Sequence, residues 1–349
     1  LIEQRVVAAL RPFGLADPIL NRGARSGIVE FRLDGTAFVI DYGRLTPDGK
    51  GHFIYAQNEL EGDWAEALLA AGGEISFGAR VTGITETGDG AALSILAADG
   101  KPAVVHAEIV VGCDGAGSIV AREAALPTFG VARPFRWLAV IAAAPPPAPR
   151  TVYGLHRRGY SAFMRRTPGS TRYYLEVPNE ATHEDWPEDR VWQELELRMA
   201  AGGQPSPVRG DLIERDFLDL RVRVREPMQK GRIFLAGDAA HTVTPAGGKG
   251  MNMAILDAIE LAFGLCELYG KSANEARLMR YSATRIPDVW RYEEFSNWML
   301  GLLHPRHALP SDESSYAQEF AFGLRRGRLE RMVNDAQFAY WFAQAFAGT

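Results

Sequence analysis

The chain has little cysteine: Cys113 and Cys266 are the two thiols in 349 residues. Two thiols build neither a disulfide framework nor a zinc cluster, so no metal is expected and a reducing, cytoplasmic setting is. Positive charge is not in excess either. Lys and Arg number 38 against 43 Asp and Glu, a formal net charge of −5. A mildly acidic chain without a basic block is a poor partner for nucleic acid or an anionic membrane. Long apolar runs are missing. The most hydrophobic helix-like stretch, residues 253–268, is interrupted by Asp257, Glu260 and Glu267, so no membrane span is expected. No leader peptide is visible at the start, and no internal repeat or low-complexity tract is found.

What is present is ordinary for a globular protein. At 47% hydrophobic and 23% charged residues, the chain is neither disordered nor a coiled coil. Its length suits about two domains. The spacing of Val6, Val7, Leu10 and Phe13 predicts a helix stopped by Gly14. Residues 31–42 read as strands about the turn Asp34-Gly35, and residues 63–71 as a helix closed by Gly72-Gly73. Residues 76–111 read as three strands, the last running into Cys113-Asp114-Gly115. A Pro/Ala-rich stretch, residues 142–150, marks a boundary. Beyond it come a β-rich region (152–177), a helix (186–201), an extended segment (212–224) and a short apolar strand (233–236). A long helix starts near Asn252, and residues 272–349 are mostly helical with a break at 305–310. This order predicts an α/β domain interrupted by a β-rich insertion.

The most informative segment runs from Gly231 through Gly237-Asp238 to Gly250-Met251-Asn252. Gly237 lets the backbone approach a ligand at the strand end. Asp238 places a carboxylate there, suited to accept hydrogen bonds from sugar or polyol hydroxyls. Gly247, Gly248 and Gly250 open a helix whose N-terminus offers unpaired N–H groups and partial positive charge. A plain strand-loop-helix joint is the alternative for the glycines alone.

This run resembles the second FAD-binding motif of the group A flavoprotein aromatic hydroxylases, in particular those acting on 4-hydroxybenzoate. Val110-Val111-Gly112-Cys113-Asp114-Gly115 resembles the family's other Asp-Gly motif, although alone it also reads as a simple turn. Leu1-Ile2-Glu3-Gln4, Tyr55-Ala56-Gln57, residues 172–178, Glu226-Pro227-Met228-Gln229, Arg280-Tyr281-Ser282 and residues 295–299 follow the family in the same order. The resemblance implies an FAD-dependent hydroxylase fold. Its divisions are a dinucleotide-binding domain (1–127), an inserted β-sheet substrate domain (128–225), a second FAD-binding segment (226–270) and C-terminal helices (271–349). It implies FAD as cofactor, held by Gln57, Asp114, Arg172, Gly237, Asp238, Gly250, Met251 and Asn252. NADPH or NADH would be the reductant, with Arg122 and Arg221 as its contacts, and O₂ the oxidant. A small aromatic carboxylate would be the substrate and a homodimer the assembly by analogy. Tyr153 and Pro245 take the catalytic positions, and Met164, Arg166 and Tyr174 join them in binding the substrate. A guanidinium at Arg166 pairs bidentately with a carboxylate; a solvated hairpin charge is its alternative, as ordinary sheet packing is for Tyr153 and Tyr174.

Several features depart from the family. Its N-terminal G-x-G-x-x-G unit is not found, and the chain opens on Leu1, which reads as a truncated record or a true absence. The family's carboxylate-binding Ser falls on Met164, a relay tyrosine on Phe346 and a relay histidine near Arg25. These changes make 4-aminobenzoate, which needs no deprotonation, an alternative to 4-hydroxybenzoate, and a homologue without turnover a further one. A flavin-dependent halogenase would carry a Trp-x-Trp pair, which is absent.

Overall fold

The computed structural model describes residues 1–271, 273–304 and 315–348. The break expected at 305–310 lies outside the described residues. An eight-stranded sheet dominates. Its spatial order is His241–Thr242, Leu212–Arg225, Thr128–Ala142, Ser170–Pro178, Gly159–Thr167, Thr151–His156, Ile28–Leu33 and Thr36–Asp41. The sheet is therefore assembled from both sides of residue 127. The last two strands join through Asp34 (φ 47°) and Gly35 (φ 77°), the two left-handed residues that a tight hairpin turn with matching twist requires. The 15-residue strand Thr128–Ala142 was not expected from the sequence, where Arg133, Pro134 and Arg136 break its apolar alternation.

Register sorts the residues of the sheet onto its two faces. Phe38, Phe31, Tyr153, Ala162, Tyr174, Ala139 and Asp216 lie side by side across seven strands. Neighbours in such a row share a face, so Tyr153 and Tyr174 look the same way. Much of this face is covered by the C-terminal helices, through Phe295, Met299, Phe342 and Phe346. The opposite face packs Val152, Phe163, Tyr173 and Leu175 against the helix Glu188–Arg198.

Residues 80–107 form a three-stranded meander, as expected, but Val110–Gly112 leaves it. That short strand pairs in parallel with Ile233–Leu235, Gly112 opposite Leu235. Two segments 120 residues apart thus end together, bringing Cys113-Asp114-Gly115 to Gly237-Asp238. From there the chain passes through the Gly-rich loop into the 20-residue helix Gly250–Tyr269. Among the described residues no helix is long and apolar enough to cross a membrane, and no cluster of His, Cys, Asp and Glu suits a metal ion.

Candidate functional site

A cavity of about 1120 Å³ lies between the large sheet and the Gly-rich loop. That is just above the usual range of roughly 300–1,000 Å³ for small-molecule sites.

The loop wall is built by a strand that stops and a helix that starts. At Gly237 the backbone turns left-handed (φ 59°), and a Cβ there would meet Ala254 at 3.1 Å. Asp238 follows, exposed to the cavity and without a hydrogen-bond partner among the described residues. Burial raises its carboxyl above the ordinary range, and His241 opposes that rise. The helix Gly250–Tyr269 begins without a side-chain cap, with Gly248, Lys249, Gly250 and Met251 on the cavity. Its free N–H groups and macrodipole therefore face the space. Cys113, Gly115 and Gln57 complete this wall. An orphaned carboxylate beside an uncapped helix N-terminus fits a polyol joined to an electron-poor or anionic heterocycle, as in FAD.

Asp257 holds this wall in place. It is fully buried, with Oδ1 on the Arg285 Nε at 2.8 Å. Its Oδ2 accepts the Gly237 N–H at 3.1 Å and lies 2.6 Å from the His241 Nε2. The sequence displays Asp257 as a charge interrupting an apolar helix, which excludes a membrane span but hides this bracing role.

The sheet wall carries Trp137, Tyr153, Tyr160, Met164, Arg166, Arg172 and Tyr174. Tyr153 is buried and its hydroxyl has no hydrogen-bond partner among the described residues. Burial pushes that phenol well above its ordinary range, reinforced by Tyr42 and Tyr174. Behind the wall, Trp137 Nε1 donates to His304 Nε2 at 3.1 Å. His304 therefore carries a proton on Nδ1, which it gives to Glu176 at 2.7 Å. Nothing in the sequence pattern marked this brace.

Eleven of the fifteen residues singled out as site residues line this cavity: Gln57, Tyr153, Met164, Arg166, Arg172, Tyr174, Gly237, Asp238, Pro245, Gly250 and Met251. Others lie elsewhere. Asp114 turns away and caps the helix Ile119–Glu123, accepting from Ser118 (2.6 Å), Ile119 (2.7 Å) and Val120 (3.2 Å). Asn252 is buried, accepting from the Glu3 N–H and donating to the Leu1 and Gly248 carbonyls. Arg122 pairs with Glu123 and Arg221 with Asp219, both at the surface.

Phe346 is buried, with its ring edge-on to Tyr42 at 4.9 Å and to His52 at 5.2 Å. Tyr42 donates to the Ser26 carbonyl (2.5 Å), so its oxygen accepts from His52 Nδ1 (2.9 Å). Burial, with help from Lys249, keeps that imidazole neutral. Arg25 is turned outward to Asp48 and stacks on Phe53. The Tyr42–His52 pair escaped notice in the sequence because neither residue belongs to a motif.

Comparison with known proteins agrees with this geometry. The family model described as "FAD binding domain" matches residues 1–296. The p-hydroxybenzoate hydroxylase of Acinetobacter baylyi is 32% identical over 309 residues, 87% of this chain and 75% of that protein. A 3-(3-hydroxy-phenyl)propionate/3-hydroxycinnamic acid hydroxylase of Mycobacterium sp. is 30% identical over 81% of this chain, which spans only 50% of that relative. Among solved structures, p-nitrophenol 4-monooxygenase from Pseudomonas putida matches with a TM-score of 0.81 at 20% identity, covering 99% of this chain and 87% of that one.

Proposed function

The chain belongs to the FAD-binding domain family, and on that premise we propose that it is a monooxygenase hydroxylating an aromatic carboxylate with NAD(P)H and O₂. One observation carries the reading: a single cavity sets the unpaired Asp238 and an uncapped helix N-terminus across from Arg166 and Tyr153. FAD, when bound, supplies electron transfer from the nicotinamide and activation of O₂.

The chain's own residues have separate tasks. Asp238 accepts hydrogen bonds from flavin hydroxyls, and the first N–H groups of the Gly250–Tyr269 helix face the ring system. Arg166 holds the substrate carboxylate. Met164, opposite Arg172 in register, cannot donate to that carboxylate, so Arg166 is its principal anchor. Tyr153 hydrogen-bonds the ring substituent, with Tyr174 beside it on the same face. Trp137, Tyr160 and Pro245 keep water away from the reacting edge. Phe346 brings no hydroxyl to move a proton from the Tyr153 end. That favours, as a second reading, a ring with an amino group in place of the phenol. Product analysis with 4-hydroxybenzoate and 4-aminobenzoate separates the two.

Two substitutions test the assignment. Asp238→Ala removes an acceptor of charge-assisted hydrogen bonds, each worth about 1.5–3 kcal/mol, so FAD should bind roughly 10- to 150-fold more weakly. Flavin titration of the purified variant measures this, and unchanged retention of FAD would remove Asp238 from the site. Arg166→Ala should raise KM for the aromatic carboxylate by a similar ~10- to 150-fold while leaving that for the nicotinamide nearly unchanged. If only uncharged aromatics perturb the flavin spectrum, Arg166 has another role.

A further inference from the structure

The sheet wall of the cavity carries more positive charge than one carboxylate requires. Arg165, Arg166 and Arg172 all line it and all are half-buried. Among the described residues none of the three side chains makes a hydrogen bond or an ion pair. Arginines elsewhere on the sheet each have at least one partner. Arg32, for example, holds Glu30 and the carbonyls of Met199 and Pro205. Partly desolvated like charges without a counter-ion are unfavourable, so their persistence on a cavity wall points to an anion brought in from outside.

Strand geometry explains how the charges come together. From Met164, strict alternation would put Arg166 on the cavity face and Arg165 on the other. The register slips between Arg165 and Thr167, so the strand carries one extra residue at the hairpin end. A bulge of this kind bends the strand and re-aims side chains, and both arginines line the cavity. Glu214 is the single acid on this wall, in the row Met164, Arg172, Ile141, Glu214. It pairs with none of the three. With Arg172 the one the resemblance gives to FAD, Arg165 and Arg166 remain as two guanidinium groups without a partner, one more than a single carboxylate needs for a bidentate pair.

We propose that the substrate is an aromatic ring bearing two carboxylates, the first held by Arg166 and the second by Arg165. This rests on the aromatic-carboxylate reading of the same cavity.

The test is calorimetric titration of the full chain, loaded with FAD, with benzoate, phthalate and isophthalate. One dicarboxylate should bind about 10- to 150-fold more tightly than benzoate, the value of one added charge-assisted contact. Arg165→Gln should abolish that preference and leave benzoate binding unchanged, whereas Arg166→Gln should weaken benzoate as well. Among the described residues the Arg165 side chain has no hydrogen bond or ion pair, so its variant should keep the thermal midpoint of the parent. Benzoate binding as tightly as both dicarboxylates, or a preference that survives Arg165→Gln, overturns the second-carboxylate site alone. Failure of benzoate to bind, or binding indifferent to Arg166, overturns the aromatic-carboxylate reading and this inference with it.

Discussion

Asp257→Ala should destabilise the fold by about 3–5 kcal/mol, the usual cost of removing one member of a buried charged network. Asp257 has no exposed surface, and its two oxygens serve three partners: the Arg285 Nε, the Gly237 N–H and the His241 Nε2. Alanine leaves each of them buried and short of an acceptor. Arg285 keeps only its bond to Asp288 (2.9 Å), and His241 already has an unpartnered Nδ1. Asp257→Asn keeps the shape but replaces one acceptor with a donor, so it should fall between the parent and Ala. Urea denaturation followed by circular dichroism gives the difference directly. Because Asp257 fixes Gly237, and Gly237 sets the direction of Asp238, flavin retention should fall together with stability. A change below about 1 kcal/mol would mean that the network relaxes onto water.

The two halves of the loop wall were legible in the sequence to different degrees. The apolar run at Ile233, the following Gly-Asp and the three loop glycines announce a strand, a close approach and a helix start. What alternation and spacing do not reveal is the partner. Val110–Gly112 looks like the end of a meander, and only the tertiary fold moves it beside Ile233–Leu235. Asp114 shows the cost of reading a motif one residue at a time. The Cys113–Gly115 segment lines the cavity through its neighbours while the carboxylate is spent on a helix N-terminus. Asn252 is similar, a polar residue consumed by Glu3, Leu1 and Gly248. On the sheet wall, Met164 and Arg166 come from the family resemblance, and Arg172 and Tyr174 share a strand face by period-two alternation. Arg165 follows from neither, because a bulge has no sequence period to betray it. Asp257, His304 and the Tyr42–His52 pair act through contacts between elements far apart in the chain, which no local pattern encodes.

Lys249→Met should cost a comparable ~3–5 kcal/mol, and the manner in which that loss can be reversed is the sharper expectation. Lys249 is fully buried, its Nζ on Glu3 Oε1 at 2.7 Å and on the Phe346 carbonyl at 2.9 Å. Burial by itself would raise the Glu3 carboxyl. Lys249 and the Tyr292 hydroxyl, at 2.5 Å, outweigh it and hold Glu3 below its ordinary range. The ion pair therefore joins three parts of the chain: the N-terminal segment, the loop entering the Gly250–Tyr269 helix, and the C-terminal helix Ala336–Ala347. Methionine leaves the Glu3 carboxylate buried with only Tyr292 and Arg5 as partners. Glu3→Met strands the ammonium in the same way. The double variant strands neither charge and fills the space with apolar side chains, so it should be more stable than either single variant. A coupling of about 1–3 kcal/mol in a double-mutant cycle would establish that the two charges act as a unit. Additive losses would instead assign the effect to packing around Phe295 and Tyr292, the rings that enclose the Lys249 ammonium. Lys249 also adjoins Gly250 at the start of the helix facing the cavity. Any variant that loosens it should release flavin more readily, whereas the double variant should recover part of that retention along with its stability.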